Sequence, residues 1–144
     1  MRLLTTALAV LPALAYAQNL DVAVTKPVEC VRKTKNGDTV QMKYKGTLTD
    51  GTQFDSNLDS GRPFEFKLGA GQVITGWDKG LLGMCIGEGR KLTIPPGMAY
   101  GNQRVGPIPS GSTLSECLDS GEGLHWANLS SLRDGASWNH RREG

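Results

Sequence analysis

Apolar and polar residues alternate with a period of two along Val40-Gln41-Met42-Lys43-Tyr44-Lys45 and again along Phe64-Glu65-Phe66-Lys67-Leu68. That alternation predicts two half-buried strands. Leu20 to Cys30, with Val22, Val24 and Val28 among polar residues, predicts a third. Pro27 places it at a sheet edge, because proline cannot donate to a central ladder. Asn36-Gly37-Asp38 is a turn signal, and Asp50-Gly51 is a hairpin signal. Thr52 to Asp55 then returns beside the first strand, and Ser56 to Arg62 is a polar insert before Phe64. Arg90 to Ile94 predicts one more strand, which Pro95-Pro96 ends.

The period changes once. Ile74, Trp77, Leu81 and Leu82 fall on one face of a helix. Gly76, Gly80 and Gly83 interrupt it, and each costs roughly 1 kcal/mol against alanine in helix propensity. Tertiary packing must therefore hold this helix, and the glycines let the sheet approach it. Gly97 to Gly111 is a long loop rich in Gly and Pro, of the kind that is usually functional inside a compact domain. The 19 glycines and 7 prolines favour a turn-rich β or α+β fold over a helical bundle.

The amino-terminal run precedes all of this. Arg2 is followed by apolar residues from Leu3 to Leu14 and then by Ala15-Tyr16-Ala17. Those are the parts of a secretory signal peptide in their usual order, with cleavage expected after Ala17. The run is shorter than the roughly 20 residues that span a bilayer, and Pro12 breaks it. No later segment is long and apolar enough to span, so no membrane association is expected after cleavage. The leader implies an oxidising compartment, either the endoplasmic reticulum lumen or the exterior. A chain of 144 residues is one domain by length, and a net charge of +2 gives no reason to expect nucleic acid. Three cysteines allow at most one internal disulfide and leave one thiol over.

Candidate chemistry is defined first by exclusion. There is no His/Cys metal spacing, no phosphate-cradling glycine loop and no Ser or Cys nucleophile paired with a His; His125 and His140 both lie far along the carboxyl-terminal region. Neither a metal nor a cofactor is expected. The aromatic set Tyr44, Phe54, Phe64, Phe66, Trp77 and Tyr100 remains. Aromatic residues on strands and a helix ordinarily form core. The hydroxyls of Tyr44 and Tyr100 need partners if buried, and Asp55, directly after Phe54, calls for a partner or a function.

Six blocks stand in one order: Gly51-Thr52-Gln53-Phe54-Asp55-Ser56, Pro63-Phe64-Glu65-Phe66, Val73-Ile74-Thr75-Gly76-Trp77, Leu92-Thr93-Ile94-Pro95-Pro96, Ala99-Tyr100-Gly101 and Pro107-Ile108-Pro109. In these blocks the chain resembles the FKBP-type peptidyl-prolyl cis-trans isomerases, and within them the small secretory-pathway members. The resemblance runs from about Val28 to Leu114.

The resemblance implies a twisted antiparallel sheet wrapped over one short α-helix, with a pocket between them. Trp77 would be its floor, with Tyr44, Phe54, Phe64, Val73 and Ile74 as walls and Tyr100 and Ile108 as rim. Tyr44, Asp55, Trp77 and Tyr100 are the implied catalytic residues; Phe54, Phe64, Val73, Ile74 and Ile108 are the implied substrate contacts. The family's prototype carries an Arg where this chain has Ser60, so Arg62 could pair with Asp55 only if the insert curls back. The implied activity is rotation of X–Pro bonds in folding secretory proteins by a monomer. The implied partners are proline-containing polypeptides and tacrolimus-like or rapamycin-like macrolides. A non-catalytic module that holds proline segments or macrolides would share every pocket residue. Secretory members also carry a cysteine pair at the places of Cys30 and Cys85; together with the leader this implies a disulfide, with Cys117 free.

The resemblance stops at Leu114. The family's last strand runs through the sheet interior with alternating apolar residues and adds a pocket Phe. Here Ser115-Glu116-Cys117-Leu118-Asp119 follows, and from Pro109 onward there is no Val, Ile or Phe. The expectation is that the final strand is missing. The divisions are then a signal peptide at 1–17, an extension at 18–27, a truncated isomerase domain at 28–114 and a disordered tail at 115–144. Such a tail would come from a retained intron or shifted frame, in an inactive or weakly active product. Asn128-Leu129-Ser130 would be an incidental glycosylation sequon, and the tail has no Lys/His-Asp-Glu-Leu retention signal.

Overall fold

In the computed structural model, residues 19–121 are described. The leader, both histidines, Trp126, Trp138 and the Asn128 sequon lie outside the described residues. Six strands and one helix follow in order: β1 (Asp21–Lys26), β2 (Thr39–Leu48), β3 (Gln53–Ser56), β4 (Phe64–Lys67), α1 (Thr75–Gly80), β5 (Gly89–Ile94) and β6 (Leu114–Asp119), with a 3-10 turn at Pro96–Met98. All pairings are antiparallel, in the order β1-β5-β6-β2-β3, and β4 pairs with the first half of β2. The ten-residue β2 is thus the organising strand. Thr39 to Met42 face β4, while Lys43 to Leu48 run beside β6. None of the described helices is long and apolar enough to cross a membrane.

The final strand is present, which corrects the expectation of a missing one. Residues of β6 pair from Leu114↔Ile94 to Asp119↔Gly89 on one side and from Leu114↔Leu48 to Asp119↔Lys43 on the other. Leu114, Glu116 and Leu118 face inward and are buried. The expectation judged composition, but a strand between two partners is held by its backbone ladder, which needs alternation more than Val or Ile. Leu-x-Glu-x-Leu alternates, with one polar residue in an inward place. Order continues one step past the strand. Ser120 is fully buried, accepts from the Gly87 N–H at 2.8 Å and donates to the Cys85 carbonyl at 2.9 Å.

The core lies between the sheet's inner face and α1, and includes Val40, Met42, Phe66, Leu68, Trp77, Leu81, Met84, Leu92, Ile94, Leu114 and Leu118. The helix is short and glycine-rich because it presses on β5. A Cβ built at Gly76 would lie 2.5 Å from Ile94, and one at Gly80 would lie 2.7 Å from Leu92. Leu81 is fully buried, but Leu82, expected on the same face, is 37% exposed. The helix ends at Gly80, so helical phase no longer governs Leu82. Arg90 closes that end: its guanidinium donates to the carbonyls of Gly80, Leu82 and Gly83 at 2.8–2.9 Å. A cation there satisfies orphan carbonyls and complements the helix dipole. At the other end, the Asp78 carboxylate accepts from the N–H groups of Gly69 and Gly71, which ties the β4–α1 loop to the helix. Cys30 and Cys85 form a disulfide with a Cα–Cα distance of 5.8 Å, and Cys117 is free and exposed on the outer face.

Candidate functional site

A cavity of about 270 Å³ opens between β2, β3, β4, β6 and α1. Tyr44, Phe54, Asp55, Phe64, Val73, Ile74, Trp77 and Tyr100 line it, together with Gln72 and Glu116. The sequence analysis named the first eight and missed the last two. Ile108, expected at the rim, does not line the cavity. Its short bridge with Val105 places it in the core, where it is 4% exposed. Two larger concavities, of about 520 and 720 Å³, have no aromatic residue in their linings.

Trp77 is 6% exposed and has aromatic neighbours on several sides. Its ring centroid lies 5.2 Å from Tyr44 and 6.2 Å from Phe64, both edge-on, and 5.6 Å from Phe66. Edge-to-face contacts of this kind suit the aromatic quadrupole and fix the indole plane. Ile74 caps α1. Its carbonyl accepts from the amides of Trp77 at 3.0 Å and Asp78 at 3.3 Å, while its own N–H has no hydrogen bond among the described residues.

The partner of Asp55 is Tyr44, whose hydroxyl donates to Oδ2 at 2.7 Å; the Ser56 amide donates to Oδ1 at 2.8 Å. The Ser56–Arg62 insert does fold back, but Asn57 holds it. The Asn57 side chain accepts from the Tyr44 N–H and donates to the carbonyls of Met42 and Arg62. Arg62 thus contributes its backbone to the fold of the insert. Burial first, then the hydrogen bond to Asp55, pushes the Tyr44 hydroxyl far above its usual range, so it stays a donor. Burial and the charges of Glu116 and Asp55 push Tyr100 up as well.

Glu116 is the departure. It is 3% exposed, and its Oε2 has no hydrogen-bond partner among the described residues. Burial, then the Asp55 charge, raises its carboxyl from 4.5 to about 8. Gly46 leaves room for it: a Cβ there would lie 2.7 Å from Glu116 Oε2 and 2.5 Å from the Phe54 ring. Once Leu114–Asp119 is read as an alternating strand, the inward place of Glu116 follows from Leu114 two residues before it.

A family model for FKBP-type peptidyl-prolyl cis-trans isomerase matches residues 30–115. The chain belongs to that family. Among its relatives, FK506-binding protein 2 of Emericella nidulans is 60% identical over 105 residues, which is 72% of this chain and 78% of that one. FK506-binding protein 2 of Aspergillus oryzae is 57% identical over 111 residues, covering 76% and 83%. The crystal structure of AtFKBP13 superposes with a TM-score of 0.65 at 32% identity, covering 70% of this chain and 90% of that one.

Proposed function

We propose that this chain accelerates rotation of X–Pro bonds in proteins of the secretory pathway, using the cavity over Trp77. The observation that carries this is one aromatic floor walled by Tyr44, Phe54 and Phe64, with an unbonded Ile74 N–H beside it. Amide resonance sets a rotation barrier of about 18–20 kcal/mol. In the twisted transition state that resonance is lost, and the amide is less polar and less hydrated than in the planar ground state. A dry aromatic pocket therefore binds it better, and differential binding is catalysis without a covalent step. Each 1.4 kcal/mol or so of that difference gives about a tenfold rate. The prolyl ring packs on Trp77, between Phe54, Phe64 and Val73. The Ile74 N–H and the Tyr100 hydroxyl donate to substrate carbonyls, and the Tyr44–Asp55 pair holds the polar side of the pocket.

The Cys30–Cys85 disulfide and the leader-like run from Leu3 to Ala17 support placement in the endoplasmic reticulum lumen or outside the cell. Proline-containing polypeptides are the natural ligands, and tacrolimus-like macrolides compete for the same floor. A protease-coupled assay on a prolyl peptide tests the proposal. Acceleration that Trp77→Ala abolishes is expected; binding without acceleration would make the chain a holding module instead.

A further inference from the structure

We propose that Glu116 makes this pocket select prolyl rings that carry a hydroxyl group over unsubstituted ones. This rests on the prolyl reading above and concerns the same cavity. Glu116 projects inward from β6 between Leu114 and Leu118 and lines the cavity with Trp77, Tyr44 and Phe54. Its Oε2 is buried and has no partner among the described residues. A plain prolyl ring has only carbon at its outer positions, so seating one on Trp77 leaves the Glu116 carboxyl without a partner. A ring hydroxyl adds one heavy atom and supplies the missing bond. Leaving a buried polar atom unmatched is the strong form of discrimination, whereas filling apolar space is the weak form.

The choice of a hydroxyl follows from the groups around the acid. Among the described residues the ionisable groups facing it are Tyr44 from β2, Asp55 from β3 and Tyr100 from the loop after Pro96–Met98, and none of these is a cation. From α1 and β5, Trp77 and Leu92 add no charge. With its carboxyl raised to about 8, Glu116 is mostly neutral at pH 7 and mostly ionised above 9. An ammonium ligand would match only the ionised form, and a carbonyl only the neutral one. A hydroxyl matches both, since it donates to a carboxylate and either donates to or accepts from a carboxylic acid.

Calorimetric titration at pH 7 with three matched tetrapeptides tests this. They carry proline, 4R-hydroxyproline or 4S-hydroxyproline at one position. The native chain is expected to bind one hydroxylated peptide about tenfold more tightly than the prolyl one, the net gain of a single hydrogen bond. Glu116→Phe and the near-isosteric Glu116→Met should lose that preference, and Glu116→Gln, which can still bond a hydroxyl, should keep it. If Glu116→Phe fails to fold, Glu116→Met carries the comparison. Equal binding of all three peptides by the native chain, or the same preference in Glu116→Met, overturns the proposal while leaving prolyl binding intact. Binding of no peptide by either the native or the Met chain overturns the prolyl reading, and this proposal with it.

Discussion

The two walls of the cavity differ in chemistry and in burial: Phe64 on one is 41% exposed, whereas Glu116 on the other is 3% exposed. The wall from β2, β4 and α1 is aromatic: Tyr44, Phe64 and Trp77 meet edge to face, and the one hydroxyl among them is bonded to Asp55. The wall from β6 presents Glu116, with an oxygen that has no hydrogen-bond partner among the described residues. In the first, burial is mainly favourable area and each ring orients the next, although the Trp77 Nε1–H has no acceptor among the described residues. In the second, burial is a cost held down by protonation. The fold tolerates the second because β6 is fixed by two neighbours through its backbone, and because Leu114 and Leu118 remain apolar.

The largest expected effect breaks the comparison with pH. The native Glu116 carboxyl is raised to about 8 from 4.5. Between those values the native state holds a proton that the unfolded chain has released, so stability falls as pH rises. No penalty exists below about 4.5, and it is complete above about 8. At about 1.4 kcal/mol per pH unit the loss attributable to this group is roughly 4–5 kcal/mol. Denaturant melts of the native chain and Glu116→Gln across pH 4–9 should diverge steadily toward high pH. Parallel profiles would mean that the carboxyl is solvated and the two walls are not opposites.

Next is the aromatic wall. Trp77→Ala should cost roughly 3–5 kcal/mol of stability and abolish prolyl binding, with no change in the pH slope set by Glu116. Melts and titrations on the same preparation separate the two walls; a changed slope would show that Trp77 helps bury the acid.

A perturbation touching neither wall sharpens both results. Replacing Cys30 and Cys85 by Ala opens a link spanning 55 residues, with an expected loss of about 4 kcal/mol in the chain-entropy model. Binding per folded molecule should stay unchanged, measured by calorimetry at a temperature where both forms are folded. A weakened site would mean that the tie after α1 also positions Trp77.

The same contrast explains what was legible in the sequence. The aromatic wall could be read from Val40-x-Met42-x-Tyr44, from Phe64-x-Phe66 and from Ile74, Trp77 and Leu81 on a helical face, because those side chains obey the periods of their elements. The β6 wall could not be read so directly, because Glu116 occupies an apolar place and masks an alternation that Leu114 and Leu118 keep. Contacts that close the fold were invisible for a different reason. Arg90 on the carbonyls after α1, Asp78 on the β4–α1 loop and Asn57 on β2 join places that only the folded topology brings together. Ile108 could be named only from the resemblance, because a loop residue has no period to say which way it faces.

The smallest effect concerns the rim. Tyr100 is 38% exposed, and its hydroxyl is pushed upward in pKa by burial and by Glu116 and Asp55, so it remains a donor at neutral pH. Tyr100→Phe removes that donor and leaves the ring. A surface change of this kind should move stability by no more than about 0.5 kcal/mol. One neutral hydrogen bond is worth about 0.5–1.5 kcal/mol net, so prolyl affinity should drop between about twofold and tenfold. The loss should appear at every pH below the Tyr100 transition, unlike the Glu116 effect, which grows toward pH 8. Titrations of native and Tyr100→Phe chains at pH 6 and pH 8 therefore distinguish a rim donor from an indirect change at the acid. Unfolding on substitution, with binding per folded molecule intact, would make Tyr100 a packing residue and leave the Ile74 N–H as the substrate's donor.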